Sequence, residues 1–280
     1  MAETTGIAWT DATWNPWWGC MKVGPGCDHC YAEVLDHRVG GDHWGAGKPR
    51  RYFGEKHWNE PLRWNRKAAE TGERKLVFCA SMADVFDNEV EQEHRERLWA
   101  LIRATPALTW QIVTKRIGNA VKMLPADWGD GYANVWLIET VVNQDEADRD
   151  IPKLLATPAR VRGLSVEPQL GPIDAAWALS RNRLDIGAGF LRRGVFSPGM
   201  ETLRPLDWII CGGESGSQAE ARPFHIEWAE SIRDQCVTAG AAFFMKQTGS
   251  NPVGFPGITG KGDQPHEWPV DLRVREFPHV

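Results

Sequence analysis

The chain has 280 residues, 42% hydrophobic and 25% charged, with six cysteines and a net charge of −5. That is enough apolar material for one large domain, and it excludes a disordered chain, a disulfide scaffold and a globally basic nucleic-acid module. No run approaches the roughly 18 apolar residues of a membrane span, and the first ten residues lack a basic-then-apolar leader, so a cytoplasmic protein without a membrane partner is expected.

The fifteen tryptophans are expected in the core and rim loops rather than as a stacking platform for bases. Along the chain, short apolar runs rich in β-branched and aromatic residues alternate with stretches of helical composition, the pattern of repeated βα units. Gly6 to Trp9 is expected as the first strand, leading into a cysteine-rich loop and a helix from Tyr31 to Val39. Lys75 to Ser81 is the second strand, followed by a helix from Glu91 to Ala104 that Pro106 ends. Thr109 to Thr114 precedes a helix at Ile117 to Leu124, and Ala133 to Val142 precedes one at Gln144 to Ala156. Arg160 to Val166 and Asp207 to Cys211 follow, and a helix from Ile226 to Ala239 leads into Ala242 to Lys246.

Such near-continuous apolar strands suit burial on both faces. Six to seven parallel strands with helical crossovers predict an α/β fold, a partial or complete (β/α) TIM-like barrel, with an open doubly wound sheet as the alternative. One domain is expected over residues 1–248, carrying insertions near 40–74 and 174–205, with an irregular tail over 249–280. Insertions at strand ends commonly form lids and substrate loops.

Cys20, Cys27 and Cys30 form a C-x6-C-x2-C loop in which Gly24, Pro25 and Gly26 let the backbone wrap closely around an inorganic core. Thiolates are soft donors that suit iron–sulfur clusters or zinc. A structural zinc ion normally takes a fourth Cys or His, and His29, His37 or His43 is available to complete that set. A cubane held by three cysteines instead leaves one iron open to a ligand. Cys79, Cys211 and Cys236 are isolated in predicted strands or a helix.

A family resemblance accompanies this loop. It follows the first predicted strand, has two residues between its last two cysteines, and places His29 just before the third; in these respects it resembles the radical-SAM superfamily, whose usual spacing is C-x3-C-x2-C. The blocks Thr10 to Pro16, Gly19-Cys20, Pro25 to Cys27, Cys30 to Glu33, Ser81 to Phe86, Thr114 to Arg116, Ser165 to Pro168 and Gly212 to Ser215 look like an uncharacterised radical-SAM-like family widespread in bacteriophages and prophages. The resemblance runs from about Ile7 to Gly249. It implies a [4Fe–4S] cluster on Cys20, Cys27 and Cys30 whose open iron chelates S-adenosylmethionine. It further implies a one-electron donor such as flavodoxin or ferredoxin, and a 5′-deoxyadenosyl radical that abstracts hydrogen from a substrate. A phage setting points to a nucleic-acid base or nucleotide, hence to DNA modification or repair.

Barrel sites gather polar groups at the C-terminal strand ends. With His29 beside the cysteines, the resemblance implies cofactor contacts at Ser81 and Asp84, although Asp84 also suits an ordinary turn. Thr140 stands where the family has Ser-Val-Glu, here Thr140-Val141-Val142. Glu167 is a candidate for ribose or adenine, and Gly212-Gly213-Glu214 is similar to the superfamily's Gly-Gly-Glu element, placed here after the sixth strand. Lys115, Arg116 and Lys246 are candidate catalytic cations, with Glu214 assigned to the site in general. Residues 48–67, rich in arginine and tryptophan, suit a phosphodiester. The competing function is a barrel stapled by iron–sulfur or zinc that binds nucleic acid or protein.

Overall fold

The structure, a computed structural model, describes residues 3–195, 200 and 203–279. Parts of the expected 174–205 insertion (196–199 and 201–202), the chain start at 1–2 and the end of the tail at 280 lie outside the described residues. The first elements are β1 (Ala12–Thr13), β2 (Trp17–Trp18), α1 (Tyr31–Arg38), β3 (Arg51–Tyr52), α2 (Glu55–Trp58) and α3 (Glu60–Thr71). Next come β4 (Lys75–Cys79), α4 (Gln92–Arg103), β5 (Leu108–Thr114), α5 (Ile117–Met123), β6 (Val135–Thr140), α6 (Gln144–Ala156) and β7 (Val161–Val166). The remainder are α7 (Ala176–Leu179), α8 (Arg183–Arg192), β8 (Trp208–Gly212), β9 (Phe224–His225), α9 (Ile226–Ala239), β10 (Ala242–Gln247) and β11 (Pro252–Val253).

Seven of these strands form one sheet in the order β1-β4-β5-β6-β7-β8-β10, with parallel pairing of the kind that helical crossovers produce. The α/β class with a parallel seven-strand sheet is thus as expected. The strand order has two edges, β1 and β10, among the described residues.

The chain forms two compact units, Met1–Ile138 with Pro158–Arg160, and Glu139–Thr157 with Val161–Val280; the division falls within β6. In the first unit β4 pairs with β5 from Lys75 opposite Leu108 to Cys79 opposite Ile112. Trp14, Trp99, Trp110, Leu98 and Phe86 are fully buried there. In the second, α9 packs on β8 and β10 and ends at Gly240, whose φ of 67° favours glycine at a helix terminus. Trp208, Phe243, Phe244 and Trp268 fill that core. The tryptophan excess therefore goes mainly into packing.

The first strand differs from expectation. Residues 8–9 form a turn in which Thr10 N donates to Ile7 O at 3.3 Å. Pairing starts later because Asp11 holds both backbone polar groups of Leu76: its carboxylate accepts from Leu76 N at 2.7 Å and its amide donates to Leu76 O at 3.2 Å. Ala12 and Thr13 then stand opposite Val77 and Phe78. A two-residue strand is too short for alternation to reveal. The buried Trp9 still docks on the sheet, 4.8 Å from the Phe78 ring.

Residues 40–74 carry more structure than insertion implied. Within them, α3 has Pro61 in its first turn and Gly72 at its left-handed C-terminus, and it buries Pro61, Trp64 and Ala68 along one stripe. The tail segment β11 pairs in parallel with β9, and Arg275 bridges to Phe244 in β10.

Candidate metal and cofactor site

The cysteine loop is fastened at both ends to the segment that follows β4. At its entrance, Gly19 N donates to Met82 O at 3.0 Å. Gly19 has φ +112°, and a Cβ there would stand 2.5 Å from His43 O and 2.8 Å from Arg50 Cδ, so only glycine fits. At its exit, the Tyr31 hydroxyl donates to Ser81 O at 2.8 Å. Between these ties, Cys27 closes a 3₁₀ turn over Pro25–Cys27, and Cys30 precedes α1 without using its side chain as a cap.

Cys20, Cys27 and Cys30 are free thiols, each partly exposed. Cys20 and Cys30 pack with Trp18 against the small apolar cluster of Ala32, Trp44 and Met82. Among the described residues, no three His, Cys, Asp or Glu side chains come together as a single-ion site. Three sulfurs on a cubane each bind a different iron and are spaced more widely than ligands of one ion, so the relevant test of fit is the donor set itself. Three soft donors on a glycine-rich turn pass it.

Behind Cys20 stands a buried charged network. Arg116 donates from Nη2 to Cys20 Sγ at 3.5 Å and to Met21 O at 2.5 Å. Its Nε lies 3.9 Å from Asp84 Oδ2, with the two side chains 4% and 8% exposed. Asp84 accepts from the Thr114 hydroxyl at 2.8 Å, from Lys115 N at 3.0 Å and from Phe86 N at 2.9 Å. Asp84 thus serves both its own turn and a clamp between the ends of β4 and β5. Burial, and next the Asp84 carboxylate, push the Cys20 thiol up to about 12. Ser81 Oγ accepts from Asn15 at 3.1 Å. Lys115 is half-buried, and its ammonium has no carboxylate partner among the described residues. His29 is exposed.

In the second unit, Glu167 accepts from Lys246 Nζ at 2.7 Å and from Ser165 Oγ at 3.1 Å. A Cβ on Gly212 would stand 3.3 Å from Glu167 Oε1, and one on Gly213 would stand 2.2 Å from Thr248 O. These glycines are therefore places of close approach, not spacers. Thr140 is buried, and its hydroxyl has no hydrogen bond among the described residues. Glu214 pairs with Arg222 through both oxygens, at 2.5 and 3.0 Å, and so holds its own loop. The structure brings Glu167, Lys246 and Gly212 together in this unit, and Cys20, Asp84 and Arg116 in the other.

Three contacts were not foreseen, although His43 was a candidate zinc ligand and Arg50 lies in the basic segment 48–67. Asn15, 1% exposed, accepts from Met82 N at 2.6 Å through its side chain, while its carbonyl lies 2.8 Å from His57 Nε2. Asp36 is fully buried against His43, Oδ1 to Nδ1 2.8 Å. Arg50 and Asp87 form a buried pair at 2.8 Å, from which Arg50 also donates to His43 O and Lys48 O. Asn15 lies in a sequence block that carried the resemblance, which was the available signal; Arg50 and Asp87 stand 37 positions apart, and Asp36 and His43, only seven apart, pair around the turn after α1, so neither pair has a periodic pattern to mark it.

No curated protein matches the chain. Among solved structures it is similar to a cysteine-to-serine variant of spore photoproduct lyase, at 13% identity and a TM-score of 0.43, covering 76% of this chain and 59% of that one. The chain spans about six-tenths of that protein's length. The family described as protein of unknown function (DUF5131) matches residues 4–261. The chain belongs to that family.

Proposed function

We propose that the chain is a radical S-adenosylmethionine enzyme whose [4Fe–4S] cluster is held by Cys20, Cys27 and Cys30. The observation that carries this reading is the double fastening of a three-thiol loop, Gly19 to Met82 and Tyr31 to Ser81. Two fixed ends give a flexible glycine turn a defined geometry for a bulky core. When bound, such a cluster with S-adenosylmethionine supplies one-electron cleavage of a sulfonium and hydrogen-atom abstraction from a substrate.

The protein's own groups have distinct parts. Arg116 and Asp84 hold Cys20 in place, and Asn15 holds the Ser81–Met82 segment. Lys115, which has no carboxylate partner among the described residues, is a cation available to receive a carboxylate or phosphate. In the second unit, Glu167 and the Thr140 hydroxyl are acceptor and donor for hydroxylated ligands. A nucleic-acid base or nucleotide is the proposed substrate class, supported by exposed Arg51 stacked 4.9 Å from the Trp18 ring and 5.3 Å from Phe53. The proposed reductant is a one-electron carrier of the flavodoxin or ferredoxin kind. Anaerobically reconstituted protein, reduced with dithionite, is expected to release 5′-deoxyadenosine from S-adenosylmethionine. A cluster-loaded protein that releases none would overturn this reading.

A second reading has its own support. A carboxylate that orients a histidine through Nδ1 is the usual outer shell of a metal-bound imidazole, and Asp36 orients His43 in this way. The neighbouring Gly45 N donates to Cys20 O at 2.9 Å. A closed zinc staple on His43 and the three cysteines would require the loop to draw these donors together, since they are not gathered as a single-ion site among the described residues. Zinc in anaerobically isolated protein, lost in His43→Ala, is the result that selects it.

A further inference from the structure

We infer that Arg116 is a positioning residue that sets the electron affinity of the cluster through Cys20. The inference rests on the cluster reading above and concerns a residue that is not a ligand. Its observation is the 3.5 Å hydrogen bond from the Arg116 guanidinium to Cys20 Sγ, made by a side chain only 4% exposed.

Reduction adds a negative charge to an iron–sulfur cluster and its thiolates. A fixed cation or N–H donor at a ligand sulfur stabilises the reduced form more than the oxidised form and raises the potential. The effect depends on the cation being immobile and out of water, because a solvated charge is screened. Arg116 meets both conditions. Its Nη2 is shared between Cys20 Sγ and Met21 O, so it fixes the sulfur and the backbone that carries it together. Its Nε faces Asp84 at 3.9 Å, and its own amide donates to Thr114 Oγ1 at 2.9 Å. Thr114 donates in turn to Asp84, so the guanidinium is braced from the end of β5.

The same geometry makes the three cysteines unequal. Among the described residues no charged side chain hydrogen-bonds the sulfur of Cys27 or Cys30, and Lys22, which acts on Cys30 through its charge, is exposed, whereas Cys20 carries a buried charged donor. The iron bound to Cys20 is therefore the one whose electron density Arg116 influences. Asp84 offsets part of the charge, which places the network between a bare cation and a neutral dipole. Lysine keeps the charge but lacks the planar guanidinium whose Nη2 meets Cys20 Sγ while its Nε faces Asp84; glutamine keeps a donor and loses the charge.

The test compares wild type, Arg116→Lys and Arg116→Gln, each reconstituted anaerobically with iron(II) and sulfide. Iron per chain is measured, and the reduced fraction is read by electron paramagnetic resonance at one viologen-poised potential. The expected result is wild-type iron in Arg116→Gln with the reduced-to-oxidised ratio about tenfold lower, which is about 59 mV for a one-electron couple. Arg116→Lys is expected to restore most of that ratio. Iron retained in Arg116→Lys but lost from Arg116→Gln also supports the charge at Cys20. Wild-type iron and an unchanged ratio in Arg116→Gln overturn the inference, as does loss of iron from both variants, which assigns Arg116 a purely structural part. A wild-type protein that takes up no iron fails earlier and overturns the cluster reading itself.

Discussion

The Tyr31 hydroxyl donates to the Ser81 carbonyl at 2.8 Å, which ties the first residue of α1 to the segment after β4. With the Gly19 amide on Met82 O at 3.0 Å, this leaves the intervening cysteines a loop with two anchored ends. Anchoring lowers the entropy lost when three sulfurs are ordered around one core.

Gly19→Ala tests the entrance. Its φ of +112° is unfavourable to any side chain, and the new Cβ would overlap the His43 carbonyl at 2.5 Å, a backbone atom that cannot swing away. Destabilisation on the order of 3 kcal/mol is expected in urea unfolding, together with reduced iron uptake. A variant with wild-type midpoint and iron content contradicts the assignment of this glycine.

The Arg50–Asp87 pair supports the same region, because Arg50 also binds the carbonyls of His43 and Lys48. With side chains 1% and 0% exposed, removal of Asp87 leaves the buried Arg50 charge only the partly exposed Glu89, at 3.3 Å, as an ionic partner among the described residues. Asp87→Ala is expected to cost about 3–5 kcal/mol, and an Arg50→Met/Asp87→Leu double variant clearly less than the two single changes added together. Additive costs in a double-mutant cycle would show that the two residues are not coupled.

His57 gives the fold a pH dependence. Burial holds its imidazole below the ordinary value of 6.5, outweighing the favourable hydrogen bond to Asn15 O. On acidification the unfolded chain takes the proton first. The stabilisation is therefore fully present above about pH 6.5 and is lost as pH falls from there toward the lower folded value. His57→Gln is expected to flatten the fall in Tm between about pH 7 and about pH 5 relative to wild type. Parallel curves for the two proteins would remove His57 from the account.

Long apolar strands and well-delimited helices were legible in the sequence. The helix read over Gln144–Ala156 and the one over Ile226–Ala239 have those limits in the structure, because periodicity and termini agreed along each. The first strand was misplaced since its pairing is set by the Asp11 carboxylate on Leu76, a contact across 65 positions that no local pattern records. Helix α3 was missed within a stretch read as a Gly- and Trp-rich insertion, although Pro61 and Gly72 mark its ends. At the site, the cysteines and strand-end residues stood out by spacing. The Arg116–Cys20 bond and the Asn15 bridge did not, because side chains far apart in the chain meet only once the sheet is formed; the Asp36–His43 pair, seven positions apart, forms around the turn after α1, where no periodic pattern marks it.

The most direct test of the central claim is metal analysis of anaerobically reconstituted wild type beside single serine variants of Cys20, Cys27 and Cys30, with Cys236→Ala as the buried-cysteine control. About four irons and as many sulfides per chain are predicted for wild type and the control. Each serine variant is predicted to lose most of both while its far-ultraviolet circular dichroism is unchanged. Zinc in place of iron, or iron content indifferent to all three cysteines, would contradict the account.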